Sequence, residues 1–223
     1  MAEERQGRTV VFSTPQGEVR VSTWCRSDFI ETLEMEEGIG VFAHYRSMVR
    51  NRDMLIRMSG LPDSNITLAH TPESKIVGYI IYGYPSRLER WGRWQDGLVY
   101  ELGSIEVSRN WREVGVASKM LEVSTNDDWL EDKVLILTGY CWHWDLEAAH
   151  LSKLDYRRKL MMLFARFGFR QHYTNEPNIM LDLANMLMVK TGSRVSPADR
   201  ERFLDLCFAT GADDIENVLH MSS

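Results

Sequence analysis

Glu101 and Glu106 lie in a β-rich stretch, Leu98 to Val107, and a short loop then leads to Arg112-Glu113-Val114-Gly115-Val116-Ala117. The first stretch reads as a strand, and Gly115 to about Leu130 reads as a helix. A helix start leaves backbone N–H groups unpaired and carries partial positive charge, so a pyrophosphate binds there readily. Gly115 and Ala117 are small enough for a ligand to approach the backbone closely. Arg109, Arg112 and Lys119 are candidates for added phosphate charge, or are simply solvated. A strand carboxylate nearby can act as a general base. Strand side chains alternate, so Glu101 and Glu106 are expected on opposite faces. The alternative for either is a solvated carboxylate or an ion pair.

The elements that must hold these groups can be read around them. Thr9 to Thr14 and Glu18 to Trp24 predict a hairpin across Pro15-Gln16-Gly17. Ser27 and Asp28 can cap a short helix, and a second helical stretch runs near Met48 to Met58, ending at Ser59-Gly60-Leu61-Pro62. Ile66 to Ala69 and Ile76 to Tyr82 predict two strands. Val134 to Trp142 reads as a buried strand, and Leu154 to Phe167 as a helix ending in Gly168-Phe169. Ile179 to Val189 reads as a Met- and Leu-rich helical run. Ser196-Pro197-Ala198-Asp199 starts a last helix, whose apolar face is Phe203, Leu206, Cys207 and Phe208. The expected organisation is a main domain over 1–175 and a helical C-terminal appendage over 176–223, which is a candidate partner-binding lobe.

Composition bounds the function. With 223 residues, 44% hydrophobic and 26% charged, the chain is an ordinary globular protein. No stretch approaches the ~20 apolar residues of a membrane helix. The charged start, Met1-Ala-Glu-Glu-Arg, lacks a signal core, and Cys25, Cys141 and Cys207 form neither a disulfide framework nor a zinc pattern, so the expected compartment is the cytoplasm. The net charge of −6 disfavours nucleic acid. His143 and His150 have no third ligand beside them, and no metal is expected.

Arg112, Gly115 and Ala117 match the coenzyme A loop of the Gcn5-related N-acetyltransferase superfamily, Gln/Arg-x-x-Gly-x-Gly/Ala, and the element order from 9 to 175 resembles that superfamily's. Ser59-Gly-Leu-Pro62, Ile76-Val-Gly-Tyr79, Leu88-Glu-Arg-Trp91, Glu101-Leu-Gly-Ser-Ile-Glu-Val107 and Trp142-His-Trp-Asp-Leu146 look like the acetoin-utilisation acetyltransferase family. The resemblance implies an α+β fold with a central, mixed, mostly antiparallel sheet flanked by helices. It implies acetyl-coenzyme A as cosubstrate. It also implies a protein partner, acetyl-coenzyme A synthetase, whose catalytic lysine is acetylated and which is thereby shut off. Rival readings are a small-amine or other protein acceptor, and a non-catalytic acetyl-coenzyme A sensor that inhibits its partner.

By the same resemblance Glu101 sits at the offset of the base in Gcn5-type enzymes, and Glu106 is the alternate. Backbone groups of Ile105 and Val107 should pair with the pantetheine arm, and the amides from Glu113 to Ala117 should hold the pyrophosphate. Trp142, His143 and Asp145 are candidates for the wall of a lysine channel. The alternative is a strand end whose tryptophans cover the core. Many superfamily members carry a tyrosine general acid four residues before the Gly-Phe. Here that position is Phe164, which leaves Tyr140, Tyr156 or water.

Overall fold

The structure, a computed structural model, describes residues 5–40, 52–94 and 96–209. They fall into two compact units, one drawn from Met1–Tyr84 and Tyr100–Leu130, the other from Pro85–Val99 and Glu131–Ser223.

The first unit carries strands β1 (Thr9–Thr14), β2 (Gly17–Ser22), β3 (Glu34–Met35), β4 (Asn65–His70), β5 (Lys75–Gly83) and all but the first residue of β6 (Val99–Val107). Its helices are α1 (Ser27–Glu31), α2 (Arg52–Ser59) and α3 (Val116–Thr125). The sheet order is β1-β2-β4-β5-β6 with antiparallel neighbours, and β3 pairs parallel to β5. The expected hairpin forms. Thr14 pairs with Gly17, and Thr14 Oγ1 accepts from the Gln16 N–H at 3.1 Å and donates to the Gly17 carbonyl at 2.9 Å. Helix α1 departs from expectation in its cap: Arg26 is the N-cap and Ser27 is already helical. The Cys25 N–H bonds the Ile66 carbonyl at 2.9 Å, and Arg26 is still extended. Asp28 accepts from the Phe29 N–H instead. Of the second predicted helix, Met48 to Asn51 lie outside the described residues.

One sheet face of this unit packs Ile30, Leu55, Ile66, Leu68, Tyr79 and Ile81 into a core with α1 and α2. The other face receives α3. Tyr82 Oη and Ser124 Oγ share a hydrogen bond of 2.6 Å. A Cβ on Gly78 would lie 3.0 Å from the Glu106 carbonyl and from Met120 Cε, and 3.3 Å from Val116 Cγ1. The missing side chain is what lets the start of α3 approach β5 this closely.

The second unit holds β7 (Val134–Gly139), α4 (Leu146–Ala149), α5 (Lys153–Ala165), β8 (Arg170–His172), α6 (Pro177–Met180), β9 (Met186–Thr191) and α7 (Pro197–Cys207). Strand β9 lies between β7 and β8, antiparallel to both. This corrects the helical reading of Ile179 to Val189. Met186, Leu187, Met188 and Val189 are all buried, and a strand covered on both faces shows no alternation that separates it from a buried helix. The break comes at Asp182, whose carboxylate accepts the Ala184 N–H and whose carbonyl accepts the Asn185 N–H. Helix α7 starts as expected, with Ser196 Oγ accepting from the Asp199 N–H at 3.1 Å. Phe203, Leu206 and Cys207 are buried, but Phe208 is exposed. Among the described residues no helix is long and apolar enough to cross a membrane.

Deleting residues 176–223 removes the strand between β7 and β8 and bares both of their inner edges. The truncated chain is expected to be insoluble or molten, checked by near-UV circular dichroism and sedimentation; a soluble, cooperatively unfolding product would contradict the central place of β9.

Candidate active site

The register of β5 with β6 decides where the two carboxylates point. Tyr79 is opposite Glu106 and Ile81 opposite Ser104, but Tyr82 is opposite Leu102 and Gly83 opposite Glu101. Gly103 is skipped. Cross-strand partners share a face, and Tyr79, Ile81 and Gly83 alternate without interruption along β5. Glu101 and Glu106 therefore face the same side of the sheet. The expectation of opposite faces is corrected, because one extra residue in β6 shifts its two-residue period by one. A glycine inside a strand pattern was the available sign of it.

The two carboxylates have different surroundings. Glu106 is 8% exposed. Its Oε2 accepts from Tyr79 Oη–H at 2.8 Å and its Oε1 from the Gly40 N–H at 2.8 Å. Glu101 is half-buried, and across from it a Cβ on Gly83 would meet nothing within 4 Å. Glu101 thus borders open room, whereas Glu106 is built into the fold.

After β6 the Ser108 N–H bonds the Val77 carbonyl at 2.9 Å, and Arg109–Trp111 makes one 3-10 turn. Glu113 and Gly115 both have left-handed backbone, φ +67° and φ +93°. Gly115 is the N-cap of α3, and its carbonyl accepts the Lys119 N–H at 2.9 Å. The amides of Val116 and Ala117 thus open the helix, where no carbonyl four residues back is available to them. No atom lies within 4 Å of the Cβ position of Gly115, so the backbone there is open to a ligand. This cradle, at a ten-residue helix packed hard against Gly78, fits a pyrophosphate. Ile105 and Val107 are half-buried on the preceding strand. Arg112 Nε reaches the Val107 carbonyl at 3.4 Å, and Lys119 pairs with Glu122 at 2.8 Å.

Glu36, which the sequence reading passed over, touches the turn before this loop. Its Oε1 accepts from Asn110 Nδ2 at 2.7 Å, and its Oε2 accepts from the Gly38 N–H at 2.8 Å and from the Ser108 hydroxyl. Burial pushes its pKa up, but the donors of Ser108, Asn110 and Gly38 outweigh that and hold it below the usual carboxylate range. Nothing in the local sequence pattern marks Glu36, since its side-chain partners, Ser108 and Asn110, are more than seventy residues away.

Trp142, His143 and Asp145 lie in the second unit. The chain leaves β7 at Gly139 and makes a 3-10 turn over Cys141–His143, so the predicted strand to Trp142 ends early. Asn185 Oδ1 accepts the Cys141 N–H at 2.8 Å and fixes the turn. Trp142 is exposed and stacks on Tyr140 at 4.9 Å, with the His143 ring edge-on to both; Trp144 stacks on Tyr156 at 5.4 Å. Asp145 is buried. Phe164 is fully buried against Phe169, an apolar core position that offers no proton. Among the described residues no three His, Cys, Asp or Glu side chains are grouped as metal ligands.

Comparison with known proteins finds two curated relatives. The acetoin utilization protein AcuA of Bacillus licheniformis is 35% identical over 87% of this chain and 91% of that protein. AcuA of Bacillus subtilis is 34% identical over 74% of this chain and 78% of that protein. The crystal structure of an acetoin utilization protein from Exiguobacterium sibiricum superposes with a TM-score of 0.84 at 28% identity, covering 93% of this chain and 97% of that one. No family profile matches the chain.

The Glu36 bonds carry a pH signature. A carboxylate whose pKa is lowered by folding adds stability that is full above its unfolded value, about 4.3, and is lost as pH falls through the lowered folded value. Glu36→Gln should therefore be less stable than the parent at pH 6, with the difference shrinking towards pH 3.5 in urea midpoints. A difference independent of pH would show that the ionised form is not the one being held.

Proposed function

The chain belongs to the AcuA acetoin-utilisation family, and we propose that it is a Gcn5-related N-acetyltransferase that moves acetyl from acetyl-coenzyme A to the catalytic lysine of acetyl-coenzyme A synthetase, in the cytosol. The observation that carries the catalytic reading is the half-buried Glu101 beside open space, on the strand that leads to the Gly115 cradle. Bound acetyl-coenzyme A supplies an activated thioester; the rest is the work of this chain's residues. The amides from Glu113 to Ala117 hold the pyrophosphate, with Arg109 and Arg112 adding charge. Backbone groups of Ile105 and Val107 pair with the pantetheine arm as a neighbouring strand would.

A lysine ammonium has no lone pair, and its pKa of about 10.4 leaves little free amine at neutral pH. Glu101 removes the proton through a water. Glu106 is the poorer candidate, because each of its oxygens already accepts a hydrogen bond from Gly40 or Tyr79. On the second unit, the exposed Trp142 and the His143 ring beside it are the candidates for contact with the acceptor. With Phe164 in the core, the leaving thiolate is protonated by solvent or by Tyr140 or Tyr156. That same buried phenylalanine favours, as a second reading, an acetyl-coenzyme A sensor that inhibits its partner without chemistry. Incubation with labelled acetyl-coenzyme A and purified synthetase, followed by mass spectrometry, separates the two. Label on the synthetase lysine supports transfer, and inhibition without label supports the sensor.

Glu101→Gln should lower turnover by about 10²–10⁴-fold and leave coenzyme A affinity nearly intact, with partial recovery at high pH, where more lysine is already neutral. Unchanged turnover in that variant would remove Glu101 as the base. Gly115→Glu puts a side chain on a left-handed residue and a negative charge in the cradle. Coenzyme A affinity measured by calorimetry should fall by tens- to hundreds-fold, roughly a few kcal/mol. An unchanged affinity in the folded variant would refute the phosphate-loop assignment.

A further inference from the structure

Residues 34–40 form a short strap across the end of β5 and β6, and two carboxylates lock it there in opposite senses. Backbone bonds set its path: Glu34 N–H to the Ser74 carbonyl at 2.8 Å and Glu36 N–H to the Ile76 carbonyl at 3.0 Å. From the strap, Glu36 reaches out to the Ser108 hydroxyl and the Asn110 amide. From β6, Glu106 reaches back to the Gly40 N–H, while Tyr79 holds its other oxygen. The Arg109 N–H closes the set on the Gly38 carbonyl at 3.1 Å.

The fit at the centre is tight. A Cβ on Gly38 would overlap the Ser108 hydroxyl and would lie 3.0 Å from both the Arg109 nitrogen and Glu36 Oε2. Ser108 is fully buried, and its hydroxyl oxygen accepts the Asn110 N–H at 3.1 Å while its proton goes to Glu36. The Asn110 carbonyl is held in turn by Gln16 Nε2 at 2.9 Å, at the hairpin turn of β1 and β2. Each backbone N–H of the 108–110 turn is thus held by a partner. The chain enters the loop 112–117 directly from that turn, and the left-handed residues Glu113 and Gly115 shape the rest of it.

We propose that Glu36 is a positioning residue for coenzyme A: through Ser108 and Asn110 it fixes the turn that aims the phosphate loop, and Glu106 with Tyr79 holds the strap from which Glu36 acts. The proposal rests on the phosphate-loop reading given above. It makes Glu106 part of the same clasp. The charge of Glu36 matters less than its two acceptor positions. In Glu36→Gln the carbonyl oxygen can still take Ser108 and Gly38, and the Asn110 amide can turn to offer its oxygen to the new NH₂.

The test measures the dissociation constant of coenzyme A by calorimetry, the KM of each substrate, and the thermal midpoint. Glu36→Ala should weaken coenzyme A about tenfold or more and raise the KM for acetyl-coenzyme A in step. The acceptor KM, and kcat at saturating acetyl-coenzyme A, should stay near the parent values. Glu36→Gln should recover most of the affinity at pH 7. Asn110→Ala removes only one arm of the clasp and serves if Glu36→Ala does not fold; it should weaken coenzyme A several-fold. Parental coenzyme A affinity in Glu36→Ala or Asn110→Ala, alongside a weakened Gly115→Glu, overturns the clasp and leaves the loop reading standing. Parental affinity in Gly115→Glu overturns the loop reading itself. Equal losses in both substrates' KM values and in kcat, or no recovery in Glu36→Gln, would reduce Glu36 to a general stabiliser and also overturn the proposal.

Discussion

Gly103 is skipped in the pairing of β5 with β6, and the extra residue puts Glu101 and Glu106 on one face of the sheet. Without it the strand would keep its two-residue period, and one of the two carboxylates would turn to the face that carries α3. Two further glycines act with the bulge. Gly83 leaves space opposite Glu101, and Gly78 lets α3 settle close enough for its first amides to stand near the end of β6. The candidate site is therefore set mainly by where side chains are missing. The carboxylate and the amides are common groups; the backbone geometry brings them to bear.

The same constraint gives two chemically identical residues different surroundings. Glu106 lies among buried atoms, and a buried carboxylate is stable only when its oxygens are hydrogen-bonded. Tyr79 and Gly40 do that, at about 1.5–3 kcal/mol for each bond to a charged group. A carboxylate so bonded would weaken those charge-assisted bonds if it took a proton from elsewhere. Glu101 is half-exposed, opposite a glycine whose Cβ position is empty.

What could be read in the sequence was local. The hairpin, the strand and loop that lead to Gly115, the start of α3 and the Ser196 cap each follow from a few adjacent residues and lie where the pattern put them, although α3 ends at Thr125 and not near Leu130. What could not be read was decided at long range. The run Met186 to Val189 is buried on both faces, so its periodicity is silent between strand and helix, and only pairing with β7 and β8 decides. The faces of Glu101 and Glu106 depend on a register shift against β5. Glu36 gains its meaning from Ser108 and Asn110, and no spacing rule connects those positions.

The strap also bears on how a phosphate cradle made of backbone can be specific at all. Amides at a helix start attract any anion, and the gain in electrostatics is spent if the loop must first be ordered around the ligand. Ordering the backbone of a residue costs about 1–2 kcal/mol, so a loop of a few free residues would forfeit much of the binding energy. Here the turn before the loop is ordered in advance by Glu36, Gln16 and the Val77 carbonyl, and the helix after it by its contact with Gly78. Between Trp111 and Val116 the chain passes through two left-handed residues, Glu113 and Gly115, and Arg112 Nε reaches back to the Val107 carbonyl. The carboxylate on the strap thus works at a distance from any ligand, by lowering the entropy that binding would otherwise have to overcome.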